Sequence, residues 1–208
     1  MTVVEDTGTI RDRLVEAATE ITTTEGWSVV TMARLAEVVG VSRQTVYNEI
    51  GTKTALAEAM ILGELARFLE CVDQAFMRHP DDILAAMRAA VGGVLHFAEG
   101  NRLLQAIVSA THGADTELLP LLTTHSGALM GTARLVVAEH VMAYDIPLEE
   151  WQLEAVIDAI VRIIFSHVMQ PSDEPDKVAE AIGWISERVL FSVGAGKVAS
   201  PLDASMVE

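Results

Sequence analysis

The sequence predicts an all-α protein of about nine helices, with three short helices at the N-terminus followed by a C-terminal helical bundle. Apolar residues recur at helical spacing along most of the 208-residue chain, whereas the alternation typical of strands is nearly absent. Half of the residues are hydrophobic, which is enough to bury a large core. Turns rich in Gly, Pro or Asn separate the helical segments.

The first three helices occupy residues 10–50. The first helix ends at Gly26-Trp27, and its apolar positions are Ile10, Leu14, Ala17, Ala18 and Ile21. The second follows Thr31, whose hydroxyl suits an N-cap, and ends at Gly40, where a left-handed residue is favoured. Ser42 comes only two residues later and is a second N-cap candidate.

Residues 31–53 therefore have the form of a helix-turn-helix, a motif whose second helix enters the major groove of DNA. Val46 and Ile50 face the core, which leaves polar side chains on the outward face. Arginine suits guanine edges, and glutamine or asparagine suits adenine. The predicted base-reading residues are Arg43, Gln44, Thr45 and Asn48, and the predicted phosphate-holding residues are Thr31, Ser42, Tyr47 and Lys53. The alternative is an ordinary helical hairpin with a solvated polar face.

The order of these residues resembles the TetR family of bacterial transcriptional regulators. The resemblance covers residues 10–60 and rests on Gly26-Trp27, on Thr-x-x-x-Leu-Ala-x-x-x-Gly-Val-Ser-x-x-Thr-Val-Tyr from Thr31 to Tyr47, and on Lys53. It implies a dimer that binds double-stranded operator DNA through these helices, with a C-terminal domain that senses a ligand. It also implies DNA-facing roles for the same eight residues. Asn48-Glu49-Ile50 depart from the family pattern, in which an aromatic residue or His and then Phe commonly follow the Tyr.

The net charge of −16 is unusual for a protein that binds DNA. Residues 1–53 hold five basic and eight acidic residues, a net charge of −3, so the remaining residues carry −13. The acidity thus lies mainly outside the predicted DNA-binding segment. That segment has few Lys and Arg residues, which predicts modest non-specific affinity and recognition that depends on direct contacts with the bases.

Residues 54–194 are predicted to form a ligand-sensing and dimerisation domain after the DNA-binding domain at 1–53, and residues 195–208 a disordered tail. Gly92 and Gly93 lie within one predicted helix and indicate a kink, close packing or space for a ligand. The predicted helices cover residues 53–78, 82–99, a short stretch ending near 110, 117–143, 148–169 and 176–193, with a loop at 112–115.

The helices predicted at 148–169 and 176–193 are joined by a short turn and should pack antiparallel. They carry more apolar side chains than one core readily absorbs, among them Ile160, Ile163, Phe165, Ile185, Val189 and Phe191. A homodimer that uses both helices as a four-helix bundle would bury the excess, and the family resemblance points to the same helices. The alternative is that both are central core helices of a single chain.

An effector site is predicted among the middle helices, where scattered polar residues lie in apolar surroundings, as is usual for small-molecule sites. The candidate residues are Met87, His96, Phe97, Leu104, Gln105, His125, Leu129, Met130, Arg134 and Arg162. Because the chain has few aromatic residues, the hypothesis is a small apolar effector, such as an acyl chain with one polar end. For each residue the alternative is a surface position or a satisfied partner, and Asp158 is spaced to pair with Arg162.

The sequence offers little for catalysis or metal binding, since it contains no HExxH, no Cys/His cluster at metal spacing and no G-x-S-x-G. No enzyme activity, cofactor or metal is therefore expected. Cys71 is alone, and no export signal or run of about 20 apolar residues is present, so a cytoplasmic location without a membrane partner is expected. Two functions remain: a repressor that an effector releases from its operator, or a helical protein that binds an apolar ligand with weak or no DNA binding.

Overall fold

The computed structural model of the protein describes residues 8–109 and 126–191. All regular structure within these two ranges is helical, which confirms the all-α prediction. The α-helices are α1 (Ile10–Glu25), α2 (Met32–Val39), α3 (Arg43–Ile50), α4 (Lys53–Arg78), α5 (Ile83–Gly100), α6 (Arg102–Ser109), α7 (Ser126–Val141), α8 (Glu150–Met169) and α9 (Pro175–Leu190), and Trp27–Val29 form a short 3-10 helix.

The predicted helix bounds are close to the observed ones where both can be compared. Helix α4 begins and ends at the predicted residues, and the bounds of α5, α8 and α9 differ from prediction by at most three residues. Of the helix predicted at 117–143, residues 126–141 are helical and 117–125 lie outside the described residues. The predicted loop at 112–115 and the tail at 195–208 also lie outside them.

The chain divides into two compact units. Of the described residues, the first unit contains 8–67, 100–109 and 126–129, and the second contains 68–99 and 130–191. The division falls within α4, whereas the predicted domain boundary at residue 53 coincides with the start of that helix. The boundary between a DNA-binding and a sensing domain stays a prediction.

The first unit is organised around α1, which packs against α2, α3 and α6. Leu14 of α1, Leu35 of α2 and Val46 of α3 are completely buried. Burial of Val46 and Ile50 fixes which side of α3 faces the core. The opposite side of α3 therefore faces outward, as the sequence predicted.

The second unit has α5 at the centre of its core. Nine residues of α5 are buried. Seven of them, all except Gly92 and Ala98, belong to one apolar cluster that also includes residues of α4, α7, α8 and α9 in this unit. By length and composition α5 could also cross a membrane, but half of it is buried inside the fold, as expected for a core helix.

The adjacent glycines of α5 are explained by close packing. A Cβ atom added at Gly92 would lie 3.7 Å from Cβ of Ala179 in α9, and one at Gly93 would lie 3.5 Å from Cβ of Cys71 in α4. Both distances are ordinary van der Waals contacts, so neighbouring helices already lie close to α5 at this level. Of the three explanations that the sequence left open, close packing is the one observed here.

Gly183 of α9 is more crowded, because the side chain of Arg88 lies across it. A Cβ at Gly183 would come within 2.6 Å of Cγ and 2.7 Å of Nε of Arg88. Arg88 is held there by loose ion pairs to Glu180 and Glu187, at 3.6 and 3.9 Å. Its buried Nε has no hydrogen-bond partner among the described residues.

These contacts predict opposite effects for the same substitution in two helices. Gly93→Ala is expected to raise the free energy of unfolding by up to about 1 kcal/mol, because alanine favours the helix and its methyl group fits. Gly183→Ala is expected to lower it by about 1–3 kcal/mol, because Arg88 must move. Thermal unfolding of the two variants checks the pair. A lower melting temperature for Gly93→Ala would contradict the packing described for α5.

Candidate nucleic-acid interface

Both N-caps predicted in the helix-turn-helix are present. The Oγ1 atom of Thr31 accepts a hydrogen bond from the backbone N–H of Arg34 at 3.2 Å. The Oγ atom of Ser42 accepts one from the N–H of Thr45 at 3.0 Å. Each bond satisfies one of the free N–H groups at a helix start. Both hydroxyls therefore stabilise the local fold, and the phosphate contacts assigned to them stay predictions.

The turn between α2 and α3 depends on Gly40. Its φ of +75° and ψ of +36° lie in the left-handed region, which glycine adopts without strain. The N–H groups of Gly40 and Val41 both donate to the carbonyl oxygen of Ala36, at 3.0 and 2.9 Å. This termination turns the chain sharply and lets α3 begin three residues after the glycine.

Helix α3 exposes a mixed polar and aromatic face. Arg43, Gln44, Tyr47 and Asn48 are exposed, and Tyr47 retains 53% of its accessible surface. The Nε2 atom of Gln44 donates to Oδ1 of Asn48 at 2.9 Å, so the two amides lie side by side. Together they leave an amide oxygen and an amide N–H free to meet a base edge, the combination that adenine requires.

The described part of residues 1–53 contains five cations, and four of them have intramolecular partners. Arg11 and Arg13 donate to backbone carbonyls of α3 and α2, Arg34 pairs with Glu25, and Lys53 contacts Trp27. Of the Lys and Arg residues within 8–53, only Arg43 has no intramolecular partner. Arg43, the first residue of α3, is therefore the cation of this segment that is left available for an external ligand.

Lys53 has a structural role that the sequence analysis did not predict. Its Nζ atom donates to the carbonyl oxygen of Trp27 at 3.1 Å and lies 4.6 Å from the centroid of the indole ring. These contacts tie the start of α4 to the segment that joins α1 and α2. The phosphate contact assigned to Lys53 stays a prediction.

Comparison with known families identifies the class of protein. Residues 14–60 match the family described as "Bacterial regulatory proteins, tetR family". Residues 82–188, more than half of the chain, match "Bacterial Tetracyclin repressor, C-terminal domain". The chain belongs to the TetR family. It is therefore a DNA-binding transcriptional regulator and not an enzyme, as the sequence predicted.

Individual TetR-family members resemble this chain over most of its length. The HTH-type transcriptional regulator AlkX of Mycobacterium tuberculosis is 28% identical over 179 residues, which cover 82% of this chain and 80% of AlkX. The TetR family repressor AlkX from Dietzia sp. strain DQ12-45-1b, implicated in biodegradation of n-alkanes, has a crystal structure that matches with a TM-score of 0.70 at 27% identity, covering 88% of this chain and 95% of that one. The repressor QsdR of R. erythropolis matches with a TM-score of 0.56 at 17% identity, covering 87% and 94%, which shows a shared fold.

The apolar residues predicted to bind an effector are distributed over both units. In the second unit, Met87 is buried in the core and Met130 packs against it. Phe97 is half-buried and meets the ring of Phe68 edge-on, with the ring centroids 4.8 Å apart. Leu104 and Leu129 are half-buried residues of the first unit.

The polar effector candidates are mostly on the surface of their units. His96 is 54% exposed, and its Nε2 atom lies 2.8 Å from Oδ1 of Asp176. Gln105 is exposed, and His125 lies outside the described residues. The observed positions of His96 and Gln105 agree with the alternative stated in the sequence analysis, a surface position or a satisfied partner.

Arg134 and Arg162 are brought together by a shared carboxylate. Arg134 of α7 and Arg162 of α8 lie 2.6 and 2.7 Å from the two carboxylate oxygens of Asp158. The hydrogen bond from Arg162 and then that from Arg134 hold the pKa of the Asp158 carboxyl below its usual value. The predicted pair of Asp158 and Arg162 is thus confirmed, and Arg134 joins it from a different helix.

Sequence reasoning missed Arg11 and Arg13. Both lie within three residues of Leu14, which is completely buried, and so border the apolar face of α1. A long cation at the edge of a buried stripe can reach past it to a neighbouring element. That position on α1 was the available signal, although it does not specify the acceptor.

Proposed function

We propose that this TetR-family protein is a homodimeric repressor that reads its operator with α3 and is released by a small apolar effector. The observation that carries the proposal is the exposed face of α3, which offers an unpaired arginine and two adjacent amides beside an exposed tyrosine. A regulator of this kind acts on chromosomal DNA, so its proposed location is the bacterial cytoplasm.

The proposed DNA contacts follow from the placement of each side chain. Arg43 would read guanine, and the Gln44–Asn48 pair would read adenine. Tyr47 would contact phosphate or a thymine methyl group, and Thr45 is half-buried at the base of the same face. Thr31 and Ser42 cap the helix starts, where N–H groups and the helix dipole favour a phosphate, and Lys53 completes the proposed set.

The proposed dimer interface is the outward side of α8 and α9. The exposed apolar side chains there are Ile163 (36% exposed), Trp184 (58%), Ile185 (40%) and Val189 (41%). On α9, Trp184 lies opposite the buried stripe that contains Val178, Ile182 and Leu190, whereas Ile185 and Val189 border that stripe. Exposed apolar side chains grouped on two helices are typical of surfaces covered by a partner, and a second copy of the chain can cover them symmetrically.

The proposed effector is an aliphatic compound, with a fatty-acyl chain as the leading candidate. The core of the second unit is mostly aliphatic and includes the adaptable side chains of Met87 and Met130. The similarity to the Dietzia repressor, which is implicated in n-alkane biodegradation, supports the same chemical class. Of the predicted effector residues, the proposal rests on Met87, Phe97 and Met130, which all belong to the second unit.

Thermal unfolding in the presence of three matched probes tests the effector. A medium-chain fatty acid, its methyl ester and the n-alkane of equal length share the aliphatic chain and differ at one end. At 100 times its Kd, a true effector should stabilise the protein by about 2.7 kcal/mol and dissociate it from DNA. Met87→Ala should weaken this stabilisation, and Met77→Ala, at a position 70% exposed, should not. If none of the three probes raises the melting temperature, the aliphatic assignment is wrong.

A further inference from the structure

Two arginines of α1 bind the carboxyl ends of the two helices in the helix-turn-helix. The Nη1 atom of Arg11 donates to the carbonyl oxygen of Glu49 in the last turn of α3, at 2.6 Å. The Nη2 atom of Arg13 donates to the carbonyl oxygen of Val39, the last residue of α2, at 2.9 Å. Helix α1 therefore contacts α2 and α3 through its apolar stripe and also through one cation for each helix end.

These two contacts satisfy groups that neither helix can satisfy internally. The last four carbonyls of a helix have no partner within it, and its carboxyl end carries a partial negative charge. Backbone N–H groups reach the carbonyls of Ala36 and Tyr47. The two arginines take the carbonyls of Val39 and Glu49, as charged hydrogen bonds that are stronger than neutral ones.

The position of Arg11 disfavours a direct role in binding phosphate. Its guanidinium lies at the carboxyl end of α3, whereas Arg43 and Gln44 occupy the amino end of that helix. The helix dipole and the exposed carboxylate of Glu49 both make the carboxyl end unfavourable for an anion. The contact of Arg11 with α3 therefore explains its position better than a contact with phosphate does.

We propose that Arg11, by binding the end of α3, and Arg13, by binding the end of α2 that leads into it, are positioning residues that fix the direction of α3 and so control operator specificity without contacting DNA. Rigid support matters here because a base contact depends on the angle at which the helix enters the groove. The inference rests on α3 being the reading helix. Residues outside the exposed face of α3 would then also contribute to operator specificity.

The experiment measures the affinity of the full-length protein for two DNA duplexes across a series of salt concentrations. One duplex is the region upstream of the protein's own gene, and the other is a scrambled sequence of equal length. Arg11→Ala should weaken binding to the upstream duplex about tenfold, the order expected for one charged hydrogen bond. It should leave the affinity for the scrambled duplex unchanged, and also the dependence of affinity on salt concentration. Arg11→Lys, which can still donate to the Glu49 carbonyl, should restore most of the specific affinity. Arg13→Ala should behave as Arg11→Ala does.

Arg43→Ala is the matched comparison. Since Arg43 is proposed to contact DNA directly, its removal should weaken binding. If Arg43 contacts phosphate, the slope of the logarithm of affinity against the logarithm of salt concentration should become shallower by about 0.9 for each phosphate that is no longer neutralised. If Arg43 reads guanine, the preference for guanine at that position should relax. An equal weakening on both duplexes with a reduced slope for Arg11→Ala would overturn the positioning role, and so would unchanged specific affinity. If Arg11→Ala fails to fold by circular dichroism, Arg11→Gln, which keeps N–H donors but removes the charge, replaces it. An unchanged dependence of affinity on salt concentration would then support the positioning role, and a weaker dependence with equal loss on both duplexes would overturn it. Failure of Arg43→Ala to affect binding would instead contradict the assignment of α3.

Discussion

Replacing Gln44 and Tyr47 together by alanine is expected to abolish specific binding to the operator while leaving the dimer and the fold intact. Both side chains are exposed on α3, so their removal should change stability by no more than about 0.5 kcal/mol. Each good contact with a base contributes about 1–3 kcal/mol of discrimination. Gln44 also holds Asn48 in place, so the double variant disturbs a third contact and should lose specificity by about 100-fold or more, on the order of 3 kcal/mol.

A matched double variant controls for the removal of any exposed pair. Gln74 and Met77 of α4 are exposed and have the same sequence spacing as Gln44 and Tyr47. Gln74→Ala with Met77→Ala should leave operator affinity unchanged in a fluorescence-anisotropy titration. Full operator affinity in the Gln44→Ala and Tyr47→Ala double variant would mean that another element reads the DNA.

Replacing Trp184 by glutamate is expected to convert the dimer to a monomer and to abolish tight operator binding. The indole is 58% exposed in a single chain, so a charge there is tolerated in the monomer but not in an apolar interface. The mass measured by light scattering should fall from twice 22.4 kDa to 22.4 kDa. Operator affinity should also fall, because a monomer contacts only one half-site. In the dimer, binding of one subunit holds the other close to the second half-site, and the monomer loses this advantage.

The control for this change is an exposed leucine on a different helix. Leu135 of α7 is 74% exposed, and Leu135→Glu introduces the same charge away from α8 and α9. It should leave the mass and the operator affinity unchanged. A dimer that survives Trp184→Glu but dissociates with Leu135→Glu would place the interface on α7.

The sequence was sufficient for features that depend on neighbouring residues. Thr31, Gly40 and Ser42 mark helix ends through local hydrogen bonds and local backbone conformation, so their roles could be predicted and are observed. Helix α4 could be delimited for the same reason. The helical spacing of Leu35, Val46 and Ile50 also sufficed to distinguish the buried side of the motif from its outward side.

Contacts between distant residues could not be predicted in the same way. Arg11 and Glu49 are 38 positions apart, and Arg13 and Val39 are 26 apart. The acceptors are backbone carbonyls, which every residue possesses, so the sequence contains no pattern that identifies them. Likewise His96 could be noted as a polar residue on an apolar helix, but its partner Asp176 is 80 positions away. The effector residues were the hardest to predict from sequence, because a binding site depends on tertiary arrangement more than on spacing along one helix.

The affinity of the unmodified protein for the DNA upstream of its own gene tests the central claim most directly. The titration should be made at low and at physiological salt, against a scrambled duplex of equal length. A repressor that reads DNA with α3 should bind the upstream duplex at least about 1,000-fold more tightly than the scrambled one, the lower end of the range for specific binders. Equal, weak binding to both duplexes at low salt would contradict that claim and would favour a helical protein that binds an apolar ligand without a DNA target.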